Sequence, residues 1–346
     1  MNAPSPAAAQ RPVALWLLAV CALLFAMIVL GGVTRLTHSG LSIVEWEPIV
    51  GTVPPLSQDD WNQLFEEYKR TPEYRLKNHW MGVADFKGIF WLEYFHRLLG
   101  RLIGIVFAVP LAWFVLRRQI DRPLAWKLAG IFVLGGLQGA MGWYMVASGL
   151  VADPRVSHLR LTAHLGLAFL IFAATFWVAL GQLRGAATPA PDRARDDLAR
   201  LALALAALVF VMVLSGGLVA GIRAGYLYNT FPLMNGHFMP PDTWSLAPAW
   251  RNIFENATTI QFNHRLIAWA LALLVPLFWW RALRAALPAG TRVACHLLLL
   301  ALAAQITLGV ATLLGAVPVP LAAAHQGGAV VLLGAALYCA HRLRYD

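Results

Sequence analysis

Eight apolar stretches, each long enough for the about 20 residues that cross a hydrocarbon core, constrain this chain more than any other feature. They run over residues 13–33, 89–116, 128–148, 159–181, 199–220, 259–280, 293–315 and 321–340. In lipid, only helices and closed barrels satisfy their own backbone polar groups, and runs of this length are helices. Of the 346 residues, 59% are hydrophobic and 13% charged, with a mean hydropathy of +0.63, a balance that excludes an ordinary soluble domain. The expectation is an all-α integral membrane protein with eight transmembrane helices. The first run is expected to be retained, because the short leader before it lacks a small-residue cleavage site.

Charge sets the orientation. Arg11, then Arg117, Arg118, Arg122 and Lys127, then Arg184, Arg193, Arg195 and Arg200, then Arg281, Arg284 and Arg292, and finally Arg342 and Arg344 all fall on one side of the predicted spans. That side is expected to be cytoplasmic, with both termini on it. The formal charge of +10 thus flanks membrane spans and does not point to nucleic acid. Cys21, Cys295 and Cys339 stand far apart in sequence inside apolar runs, so neither a disulfide framework nor a CxxC motif is indicated. In the first outer loop, Ser57 reads as a helix N-cap, with Trp61, Leu64, Phe65 and Tyr68 at helical spacing before Pro72. Such a helix lies on the membrane surface or caps the bundle.

The chain repeats itself. "EYFHRLLGRLIG" from Glu93 is answered by "QFNHRLIAWALA" from Gln261, and "LGGVTR" by "SGGLVAG", with Gly31 and Gly216 offset by 185 residues. Gln138 is answered by Gln305, and His164 by His325. Offsets that drift only across loops are expected of two fused copies of a four-helix unit. The predicted architecture is two pseudo-equivalent four-helix bundles, residues 1–190 and 191–346.

Four of ten histidines, His96, His164, His264 and His325, stand a turn or two inside the outer ends of the second, fourth, sixth and eighth spans. Two imidazoles on facing helices of a bundle can clamp a flat macrocycle, and imidazole is a common axial ligand of haem iron. The expected pairs are His96 with His164 and His264 with His325. Zinc fits less well, since no CxxC or HExxH accompanies them. A proton relay does not require the matched spacing. Arg97 and Arg265 follow their histidines at the rim, where a guanidinium can pair with a haem propionate or snorkel toward headgroups; Arg101 can share either role. His38, His79, His158, His237, His296 and His341 are expected to be surface or loop residues, with His79 or His158 able to assist substrate or proton traffic.

"GGVTRLTHSGLSIVEWEPIVGTVPP", "EYFHRLLGRLIG", "AGIRAGYLYNTFPLMNG", "FNHRLIA" and "AAAHQ" together resemble the haem A synthase family, in the branch shared by proteobacteria and mitochondria. The resemblance covers nearly the whole chain. It implies an eight-helix enzyme of the bacterial cytoplasmic membrane that oxidises a ring methyl of haem O to a formyl group. It also implies that the N-terminal half is the substrate site, with His96 and His164 flanking haem O, and that the C-terminal half holds a resident haem b on His264 and His325. Glu93 matches the acid important for the chemistry. A partner that makes haem O and an electron acceptor are implied as well. Another branch carries paired cysteines in its outer loops; this chain has none, so a route through a loop dithiol does not apply here.

Glu93 and His96 are three apart on one helix face. A carboxylate there can stabilise developing positive charge or accept a proton, which Gln261 cannot do; alternatively it pairs with Arg97 at the rim. The competing class is a bis-histidine di-haem b-type cytochrome that carries electrons with both haems permanent. The Glu93/Gln261 asymmetry favours the enzyme. A transporter built from duplicated bundles fits poorly, because the repeats are parallel and the polar residues lie near one face, not at the midplane.

Overall fold

The computed structural model describes residues 6–45, 50–151, 153–184 and 193–345. All eight predicted spans are helices: α1 (Pro6–Leu36), α3 (Val83–Leu116), α4 (Arg122–Ala147), α5 (His158–Arg184), α6 (Arg193–Gly221), α8 (Ala257–Leu283), α9 (Ala289–Leu314) and α10 (Val319–Tyr345). Two shorter helices, α2 (Gln58–Lys69) and α7 (Arg251–Glu255), lie in the loops. The loops after α1 and α6, which are the long ones, share one face of the molecule with the short loops after α4 and α9. Lys77 Nζ reaches Pro154 O, and Asn229 Nδ2 reaches Leu313 O. We call this the long-loop face.

Helix α3 begins six residues before the expected apolar run. Its first turns pack on α2 instead of lipid, so hydropathy alone does not reveal them. Ser57 caps α2 and shares a reciprocal capping box with Asp60. Trp61, Phe65 and Tyr68 are buried against Phe86 and Phe90 of α3. Of the two predicted roles for this helix, its apolar face takes the bundle cap.

Each half closes in the same way. Helix α1 packs on α3 and α5, and α4 on the same two; α6 packs on α8 and α10, and α9 on those two. Between the halves α1 meets α10, α6 meets α5, and α5 meets α10. These pairings are consistent with two fused copies about an axis along the membrane normal. The boundary expected between residues 190 and 191 lies outside the described residues, as do positions 46–49 of the first quoted motif. Away from the long-loop face a continuous apolar core joins all eight spans. In that core Cys295 and Cys339, separated by 44 positions, bring their Sγ atoms to 3.5 Å as free thiols. Sequence separation had hidden this contact.

Candidate functional site

Each of the four intramembrane histidines is set against a glycine of a neighbouring helix in its own half. A Cβ added to Gly31 of α1 would lie 3.1 Å from His96 Nε2, and one on Gly216 of α6 would lie 3.3 Å from His264 Cε1. On the other side of each bundle, Gly142 of α4 would place a Cβ 3.0 Å from His164 Cε1, and Gly309 of α9 one 2.9 Å from His325 Cε1. Gly142 and Gly309 are offset by 167 residues, as are Gln138 and Gln305. Those glutamines lie one helical turn earlier, and each donates its Nε2 to a histidine carbonyl, His164 O or His325 O, at 3.0 Å. The absence of a side chain thus makes room for each ring, and at His164 and His325 an amide also fixes the backbone of the helix that carries it. Sequence reasoning noticed Gly31, Gly216 and the glutamines as repeats but did not see this role.

His96 and His164 lie within electrostatic range of each other, and so do His264 and His325. Among the described residues, no group of three or more His, Cys, Asp or Glu is gathered as for a metal ion. The Nδ1 atoms of His164 and His325 are buried with no hydrogen-bond partner among the described residues. His264 differs, with Nδ1 lying 3.2 Å from Ser215 Oγ; the residue that answers Ser215 in the first copy, at the same offset of 185, is Leu30. Two facing imidazoles, each with space cleared beside it, fit a planar macrocycle held by axial ligands.

At the rim, Glu93 is buried, and its carboxylate takes five hydrogen bonds. Oε1 accepts from Arg97 Nε (3.1 Å) and Nη2 (2.7 Å). Oε2 accepts from Ser42 N (2.7 Å), Ser42 Oγ (2.8 Å) and Ile43 N (3.0 Å). Arg97 also donates to Ile43 O and Glu45 O. Glu93 and Arg97 together clamp the chain leaving α1 onto α3. In the other half Gln261 Nε2 donates to Tyr228 O (3.3 Å), and Arg265 donates to Tyr228 O and Thr230 O. There the loop presents carbonyls, not amide hydrogens, so an amide fills the place of the acid. One donor of Arg265, the buried Nε, has no partner among the described residues.

A second buried acid, Glu73, stands 3.4 Å from Tyr68 Oη. Burial pushes its carboxyl up to about 7, Lys77 pulls it back, and Glu93 adds to the rise. No sequence signal marked it, because it lies in a polar loop segment that reads as exposed.

The six remaining histidines do not all lie at the surface. His341 is buried in edge contact with Trp177 and tilted against Tyr345. His158 packs its Cβ against Gly221, with a buried Nε2. His296 accepts from Trp279 Nε1 at 2.9 Å. His38 is exposed, but it touches Arg223. Helices brought these residues into contacts that sequence position does not show.

A family model described as cytochrome oxidase assembly protein matches residues 14–337. The chain is 60% identical to the heme A synthase of Nitrosospira multiformis, over 97% of this chain and 95% of that one. It is 58% identical to the heme A synthase of Nitrosomonas eutropha, over 96% and 94% of the two chains. With the heme A synthase of Rhodospirillum centenum the identity is 49%, over 98% and 90%.

Proposed function

The chain belongs to the cytochrome oxidase assembly protein family, and from that premise we propose that it is a haem A synthase, a multi-pass membrane oxidoreductase that converts haem O to haem A. The observation that carries the proposal is the set of four histidines, each beside a glycine, two to each half.

In the N-terminal bundle, residues 1–190, His96 and His164 hold the substrate haem O. In the C-terminal bundle, residues 191–346, His264 and His325 ligate a resident haem b, which supplies electron transfer when bound. Arg265 retains a free Nε for a propionate of that haem. Arg97 has five N–H donors, four of them engaged by Glu93 and the loop carbonyls. It orders the rim and offers its remaining donor to the substrate.

Glu93 is the acid of the substrate half. Its carboxylate is fixed one turn before His96 by Arg97 and Ser42, and this pinning favours the electrostatic role over proton transfer. A carboxylate already oriented stabilises positive charge developing at the reacting methyl without reorganising first. To accept a proton it would have to release a hydrogen bond. If both His96 and His164 stayed on the substrate iron, that iron would have no open position, and Glu93 would contribute as a fixed charge.

The long-loop face is the outer side, with both termini cytoplasmic, because the arginine-rich segments lie at the opposite ends of the helices. A partner that supplies haem O, membrane lipid and an electron acceptor complete the assignment.

The test is co-expression with a haem O supply, followed by chromatography and mass analysis of extracted haems. Haem A or its alcohol precursor is the expected product. Haem b alone, with haem O unchanged, would overturn the proposal in favour of a di-haem b-type cytochrome.

A further inference from the structure

Helices α1 and α6 end in the same unusual way. His38 and Arg223 are offset by 185 residues, the offset of Gly31 and Gly216. Both adopt left-handed backbone, with φ of 56° and 60°, a conformation that strains a non-glycine residue. They touch across the two halves, with Arg223 Nη2 lying 3.3 Å from His38 Nδ1. Two more cations converge there. Arg35 and Lys77 both lie within electrostatic range of Arg223 and His38. Burial, and then Arg223, Lys77 and Arg35 in turn, hold the His38 imidazole below its ordinary value.

Glu73 and Asp153 attract Lys77 at longer range, but among the described residues no carboxylate is in contact with these cations. None of Arg35, Lys77 and Arg223 is ion-paired among the described residues, and Asp153 nearby is taken by Arg155. The Arg35 guanidinium, half-buried, makes no hydrogen bond to any described residue. Cations gathered from three outer segments at a strained junction repel one another unless a negative group joins them.

The position indicates which group. Arg35 is one helical turn, about 6 Å, further out than Gly31, which faces His96. His38 and Arg223 stand seven residues beyond the glycines that face the histidines of their own halves. A macrocycle held by those histidines would direct its carboxylates here if its acidic edge faced outward. Of the cations expected at that task, Arg97 spends its donors on Glu93 and two loop carbonyls, and Arg265 spends its own on loop carbonyls.

We propose that Arg35, His38, Lys77 and Arg223 form a shared carboxylate site at the junction of the halves, receiving propionates of the bound haems. This rests on the haem assignment above. Arginine supplies paired donors and lysine a point charge, and the site links the two haem positions through one cluster.

The test is titration of the purified full-length apoprotein with iron protoporphyrin IX and, separately, with its dimethyl ester, followed by optical spectra. Arg223→Gln and Arg35→Gln are each expected to weaken binding of the free acid roughly tenfold and to leave ester binding unchanged. Arg223→Lys should restore part of the loss. If Arg35→Gln does not fold, Lys77→Gln replaces it. Equal weakening of both forms, or of neither, overturns the carboxylate site while leaving haem binding intact. If neither form gives a bis-imidazole spectrum that depends on His164 and His325, the haem assignment itself fails, and the inference with it.

Discussion

The two halves secure the loops over their histidine pairs with opposite chemistry. In the N-terminal half the buried anchors are acids: Glu93 accepts from the backbone of Ser42 and Ile43, and Glu73 lies under α2. In the C-terminal half they are amides: Gln261 donates to Tyr228 O, and Asn252 and Asn256 hold the segment around Leu246 and Asp242. An amide can donate or accept without carrying charge, whereas a carboxylate brings charge and titration with it. One half is built to keep the electrostatics of its site constant, and the other places a charge beside its ligand.

The sharpest way to break this comparison is to remove ligands one half at a time. His325→Ala should abolish the optical signature of the resident haem. His164→Ala should preserve that signature and abolish haem A formation, as measured on extracted haems. Loss of both properties in both variants would mean that the halves do not divide the work.

The next largest effect is on pH. An unfolded glutamate titrates near 4.5 and Glu73 in the folded chain near 7, so between these values the folded protein holds a proton that the unfolded chain releases. The contribution of Glu73 to stability is therefore fully present below pH 4.5 and is lost as the pH rises through 7, by about 3 kcal/mol in all. Glu73→Gln should flatten the profile of proteolytic cleavage in the loop containing α2. Cleavage in the loop containing α7, where the anchors are amides, should show no such dependence; a matching one would refute the contrast.

Filling the glycine clearances sharpens it further. Gly309→Ala and Gly142→Ala press hardest on an imidazole and should each cost about 1–3 kcal/mol in thermal unfolding, with haem displaced only from the half that carries the change. Gly216→Ala should be the mildest of the four.

Glu93→Gln leaves an amide among donors and should cost about 1–3 kcal/mol. Haem O should still bind but go unconverted; normal conversion would reduce Glu93 to a clamp. The smallest effect belongs to Ser215→Ala. Losing one hydrogen bond to His264, worth about 0.5–1.5 kcal/mol, should shift the midpoint potential of the resident haem modestly, whereas Leu30→Ala should leave it unmoved.

Hydropathy made the eight spans legible, and the repeat made the histidine pairs legible, because a membrane span needs a long run and an imidazole stands out within it. The rim was not legible. A rim arginine reads as a propionate partner until the backbone carbonyls of Ile43 or Tyr228 are seen in front of it, and those depend on where the loop folds back. The meeting of His38 with Arg223 was hidden for the same reason. Each is an ordinary loop residue alone, and only the packing of α1 on α10 and of α5 on α6 brings them together.

That packing has a further consequence. In a dimer of identical four-helix chains, a substitution made on one side of the axis is made on the other as well. Carrying both units in a single polypeptide lifts this constraint. Position 93 can take an acid while position 261 takes an amide, and position 215 can gain a hydroxyl that position 30 lacks. Covalent linkage is what allows a symmetric scaffold to hold two unequal sites.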